Sequence, residues 1–106
     1  MSAAVVYVTM PSSEQAESLA QIVVTERLAA CANIVPQIKS VYRWEEEVQT
    51  ADECLVYFKT SQDRVQGLIA RVQELHEYEV PCITSWPITK ILPEYFSWIQ
   101  DSTSSP

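Results

Sequence analysis

Apolar residues recur along this chain at two different spacings, and the changes of spacing mark its elements. Residues 3 to 9, AAVVYVT, form a β-rich apolar run that stops at Pro11, which predicts a buried strand. From Ser12 the spacing changes. Ala16, Leu19, Ala20 and Val23 fall on one face of a helix expected to run to about Leu28. Ser12 with Gln15 three residues later is a capping-box signature, and Glu14 and Glu17 suit the positive end of the helix dipole.

The helical period is lost across ACANIVPQIKSVYRW, where Ile34, Ile38, Val41 and Tyr42 read as a strand. Pro36 cannot donate a ladder hydrogen bond, so this strand needs an edge or a bulge there. A second strand follows, strongest at Cys54 to Lys59, with Gln49 to Glu53 expected to bulge or fray. The polar residues Trp44 to Glu47 between them predict the tip of a long hairpin. Val65, Leu68, Ile69, Val72 and Leu75 then keep one helical face, with Thr60 or Ser61 as N-cap. CITSWPI reads as a strand closed by Pro87, and PEYFSWIQ as a short helix with Pro93 in its first turn.

The order is therefore β-α-β-β-α-β plus a terminal helix, an α+β split arrangement with helices on one face of an antiparallel four-stranded sheet. Its other face, made of strands this apolar, calls for cover by another subunit. The domain is expected over residues 1–101, with a frayed polar tail over 102–106.

Composition narrows what such a domain does. With 106 residues, 47% apolar and 20% charged, the chain has the makings of one cored domain. A net charge of −7 with seven dispersed cations disfavours nucleic acid. No apolar run reaches the roughly 20 residues of a membrane span, and MSAAVVYVTMP lacks the basic start of a signal peptide. Cys31, Cys54 and Cys82 are far apart with no CxxC, which points to a reducing cytoplasm rather than a disulfide frame or zinc finger. A single glycine, Gly67, sits inside a helical pattern, so there is no Walker A or dinucleotide-binding loop.

Four stretches occur in a distinctive order: ERLAACANIVPQIKSVYRW (Glu26 to Trp44), Lys59-Thr60, LHEYEVP (Leu75 to Pro81) and EYFSWI (Glu94 to Ile99). Together they resemble the CutA divalent-cation tolerance family, from Val5 to about Ile99. The resemblance implies a ferredoxin-like fold and a tight homotrimer, similar in build to the PII signalling proteins, in which the long hairpin reaches across to a neighbour. Tyr42, Trp44, Tyr95 and Trp98 then become expected intersubunit anchors. The chain departs from the family pattern at Glu77 (usually Pro), Glu46 (usually Gly), Cys82 (usually Glu) and in TKILPEY, which lacks a usual glycine.

The family is associated with copper and other divalent ions, ligated from a first-strand Cys and two adjacent His. Those positions are Val8, Leu75 and His76 here, so only one ligand carries over. One imidazole is not a site. His76, Glu79 and Cys82 lie within seven positions and form the candidate local metal set, whereas a His in the last turn of a helix also caps carbonyls and suits the dipole. The second of these is the favoured reading. Glu45-Glu46-Glu47 reads as a solvated hairpin tip rather than a calcium site. No nucleophile motif accompanies His76, so an enzyme is not expected. The expectation is a cytoplasmic homotrimer in divalent-metal tolerance, with weak binding of copper or another divalent cation and no obligatory cofactor. The alternative is a PII-like module binding a small ligand or partner protein in intersubunit clefts, with Arg27, Arg43 and Lys59 as its cations.

Overall fold

A computed structural model describes residues 2–104. It contains strand β1 (Ala3–Met10), helix α1 (Ser13–Thr25), strands β2 (Cys31–Trp44) and β3 (Glu47–Ser61), a 3-10 turn (Gln62–Arg64), helix α2 (Val65–Leu75), strand β4 (Ile83–Ile88) and helix α3 (Pro93–Thr103). All strand pairs are antiparallel, in the order β2-β3-β1-β4. This is the expected ferredoxin-like α+β fold, with β1 and β3 at the centre.

Strand alternation sets the core. Ala4, Val6, Val8 and Met10 of β1 and Cys54, Val56 and Phe58 of β3 face Ala16, Leu19 and Val23 of α1 and Val65, Leu68 and Val72 of α2. Each fully buried Val or Leu among them contributes about 1.5–3 kcal/mol relative to exposure. The intervening residues turn to the opposite face, where Asn33, Tyr57, Tyr7 and Thr84 lie in one row across all four strands. On that face the Tyr7 ring meets Tyr57 at 5.7 Å and Trp86 at 6.0 Å.

Half of the expected capping box forms at α1, where Ser12 Oγ accepts from the Gln15 amide at 3.2 Å, while the Gln15 side chain donates to Glu77 Oε1 at 2.7 Å instead of to the cap. The helix stops at Thr25, three residues earlier than expected. Arg27 takes a positive φ of 63°, and the amides of Arg27 and Leu28 bond back to Val24 and Val23. This is a Schellman stop with arginine where glycine is usual. At α2, Ser61 makes no side-chain cap; the 3-10 turn intervenes and the α-helix begins only at Val65.

The hairpin is longer and better ordered than its sequence indicated. Residues Gln49 to Glu53 neither fray nor bulge; the register shift lies in β2, between Val35 and Ile38, around Pro36. The Pro36 carbonyl accepts from the Cys54 thiol at 2.9 Å, which ties the irregular edge to the buried strand. The β1–β3 ladder ends at Met10–Cys54. Residues 47–53 of β3 and their β2 partners therefore project as a two-stranded arm of roughly 23 Å at strand rise, which explains a longest extent of 44 Å.

The C-terminal boundary also shifts. The predicted tail began at residue 102, but α3 continues through Thr103. Thr103 is buried, its hydroxyl sits 2.7 Å from that of Ser61, and its carbonyl accepts from Arg64 Nε at 2.7 Å. Arg27 Nη1 reaches the carbonyls of Asp101 and Ser102 as well, so two cations meet the negative end of the helix.

Candidate functional site

His76 is the residue at which α2 ends, with extended backbone at φ −83° and ψ 137°. Its ring turns inward and is buried. Nε2 lies 2.7 Å from the carbonyl oxygen of Thr9, which only accepts, and Nδ1 accepts the amide of Tyr78 at 3.1 Å. That pair of partners defines a neutral imidazole with its hydrogen on Nε2 and no lone pair left for a metal. The ring also packs against Tyr78, with centroids 4.7 Å apart.

Glu79 and Cys82 follow on the loop to β4, and both are exposed. They face outward while His76 faces inward, so the chain does not gather the candidate set His76, Glu79 and Cys82 around one point. Among the described residues, no group of three or more His, Cys, Asp or Glu side chains is positioned to hold a metal ion. The helix-end role anticipated for His76 takes a different form: the imidazole staples the following loop to β1 instead of bonding carbonyls of its own helix.

A groove of about 730 Å³ opens beside this loop. One wall is the arm, through Tyr42 and Trp44; the floor carries Tyr7 and Glu53; the other wall is the loop, through Tyr78 and Cys82. Tyr78 donates from its hydroxyl to Glu53 Oε2 at 2.9 Å. Partial burial, with the Glu53 hydrogen bond and charge next, pushes the Tyr78 phenol up to about 12. The Tyr7 phenol is raised as well, first by burial and then by Cys82, Tyr57 and Glu53. Tyr7 and Glu53 on the floor are thus flanked by Tyr42 and Tyr78 on the two walls, with the carboxylate of Glu79 also lining the groove.

Sequence reasoning singled out neither Tyr7 nor Glu53. Strand alternation held the signal: Tyr7 lies between the inward-facing Val6 and Val8, and Glu53 is the last acid before the buried run from Cys54. Their meeting with Tyr78 depends on the loop's path, which has no local pattern.

The four residues expected as intersubunit anchors lie in two places. Tyr42 and Trp44 are on the exposed arm beside Val41 and Val48, which are 68% and 67% exposed. Tyr95 and Trp98 stack on α3 at 5.4 Å. Trp98 is exposed, whereas Tyr95 also packs within its own chain, on the cluster of Ala3, Ala30 and Ile99, with its hydroxyl 3.4 Å from Cys31 Sγ.

Among the described residues, no helix is long and apolar enough to cross a membrane. A family model described as "CutA1 divalent ion tolerance protein" matches residues 4–102. The chain is 46% identical over 99 residues to the chloroplastic protein CutA of Arabidopsis thaliana, a match covering 93% of this chain and 54% of that one. It is 44% identical to the divalent-cation tolerance protein CutA of Thermus thermophilus, covering 93% and 96%. The chain thus spans about half the length of the plant relative and nearly all of the bacterial one. The crystal structure of CutA1 from Oryza sativa superposes with a TM-score of 0.95 at 42% identity, covering 100% of this chain and 97% of that one. With the fold, the motif order and these matches in agreement, the chain belongs to the CutA1 divalent ion tolerance family.

Proposed function

We propose that this protein acts in divalent-cation tolerance as a cytoplasmic homotrimer without enzymatic turnover, and that copper or another divalent ion associates with it weakly instead of residing as a cofactor. The observation that carries this reading is the family match across residues 4–102. A net charge of −7 supports an attraction for cations in general. The engaged ring of His76 argues that a metal ion meets surface carboxylates or groups brought together by assembly, not the His76–Glu79–Cys82 segment of one chain.

The trimer is supported by exposure. An arm presenting Val41, Tyr42, Trp44 and Val48 to solvent, and a stacked Tyr95–Trp98 pair, leave apolar surface of the kind that interfaces bury. The test of the biological role is growth on elevated copper of a host lacking its own family member. Expression of this chain is expected to restore growth, and failure of well-expressed, folded protein to do so would overturn the role.

A further inference from the structure

Glu53 is a half-buried carboxylate that no cation of its own chain neutralises. The Tyr78 hydroxyl tethers its Oε2, and among the described residues Oε1 has no partner. The rings of Tyr7, Tyr42 and Tyr78 stand around it. Such a carboxylate, at the root of an arm that the proposed trimer buries, asks for a cation from another copy.

The arm supplies one. Of the seven cations in the chain, five are bound to carbonyl, amide or carboxylate oxygens of their own chain. Arg43 and Lys90 are the two that have no polar partner among the described residues. Arg43 lies opposite Val48 in the hairpin, whereas Glu53 lies opposite Ile38. Five ladder positions separate the two, roughly 17 Å at strand rise, and the odd number puts them on opposite faces. Arg43 therefore does not reach the Glu53 of its own chain. Val41 and Val48 share its face of the arm, and both are largely exposed.

These two surfaces complement each other. One joins a guanidinium to two aliphatic side chains, and the other joins a carboxylate to three aromatic rings. A guanidinium bonds a carboxylate through two N–H groups and stacks on ring faces, which favours Arg43 over the ammonium of Lys90. We infer that the outer face of one copy's arm seats in the groove of the next copy, with Arg43 of the first on Glu53 of the second. The contact joins different surfaces of the two copies, and contacts of that kind close into rings. It rests on the proposed trimer and adds the residue pair that fixes how the copies meet.

The test is charge exchange read by sedimentation equilibrium over a dilution series. Glu53→Lys and Arg43→Glu, each alone, are expected to weaken subunit association by about tenfold or more, the size of a lost bond between charged groups. The double exchange should recover it to within about threefold, and Lys90→Glu should leave it unchanged. If a reversal unfolds the chain, by circular dichroism, Glu53→Gln and Arg43→Gln read the same coupling. Their combined loss should fall short of the sum of the two single losses. A trimer indifferent to both reversals, or additive losses without rescue, overturns this contact and leaves the trimer standing. Rescue by Lys90→Glu in place of Arg43→Glu overturns the choice of cation. A wild-type species at 12.0 kDa removes the contact and the trimer together.

Discussion

His76 Nε2 lies 2.7 Å from the carbonyl oxygen of Thr9, a bond that spans 67 positions and fixes the end of α2 to the end of β1. The lone histidine of the chain is thereby a structural staple, since its other nitrogen holds the Tyr78 amide and so the loop that walls the groove.

Replacing it should therefore cost stability and leave metal binding alone. His76→Ala strands a buried carbonyl and a backbone amide, at about 1–3 kcal/mol. Denaturant unfolding at fixed protein concentration checks the loss, and copper and zinc titrations are expected to superpose on those of the wild type. A large fall in copper affinity with unchanged stability would reinstate His76 as a ligand.

The hairpin tip carries stored strain. Glu45 and Glu46 both take positive φ, at 50° and 66°, in a two-residue turn where Asn-Gly is the usual solution. A left-handed conformation costs a residue with a Cβ about 1–2 kcal/mol. Glu46→Gly is expected to raise stability by about 1 kcal/mol, read as a higher denaturant midpoint with unchanged slope. A midpoint that falls would mean that the Glu46 side chain makes a compensating contact in the assembled protein.

Alkaline titration reports on the groove floor. Because the folded-state value of Tyr78 is raised to about 12 from 10.0, the neutral phenol is favoured by folding. Its stabilisation is complete below about 10 and is lost as pH rises through about 12. Ultraviolet titration of tyrosinate should show late-ionising phenols, with one removed by Tyr78→Phe and another, Tyr95, remaining. If Tyr78→Phe deletes a phenol that ionises near 10, the bond to Glu53 does not persist in solution.

Much of this architecture was legible because it is encoded locally. Periodicity located α1, Ser12 announced its cap, and Pro36 forced an irregularity onto the edge strand, where the register shift is found. The misjudged features are those decided by distant partners. Thr103 looked like tail because what buries it and ties it to the domain, its contacts with Ser61 and Arg64, comes from about forty positions away. Gln49 to Glu53 looked irregular because their alternation is polar, yet pairing with β2 orders them. The cluster of His, Glu and Cys invited a metal, and side-chain direction dispersed it. The Glu53–Tyr78 contact joins residues 25 apart through a loop with no repeating pattern, so no reading of spacing would have found it.

Sedimentation equilibrium at micromolar concentration decides whether this family member assembles, as proposed, into a trimer through its projecting arm. A trimer gives a single species of about three times the 12.0 kDa chain mass, reduced by Trp44→Ala because buried aromatic anchors dominate interface energetics. A wild-type species at 12.0 kDa would contradict it.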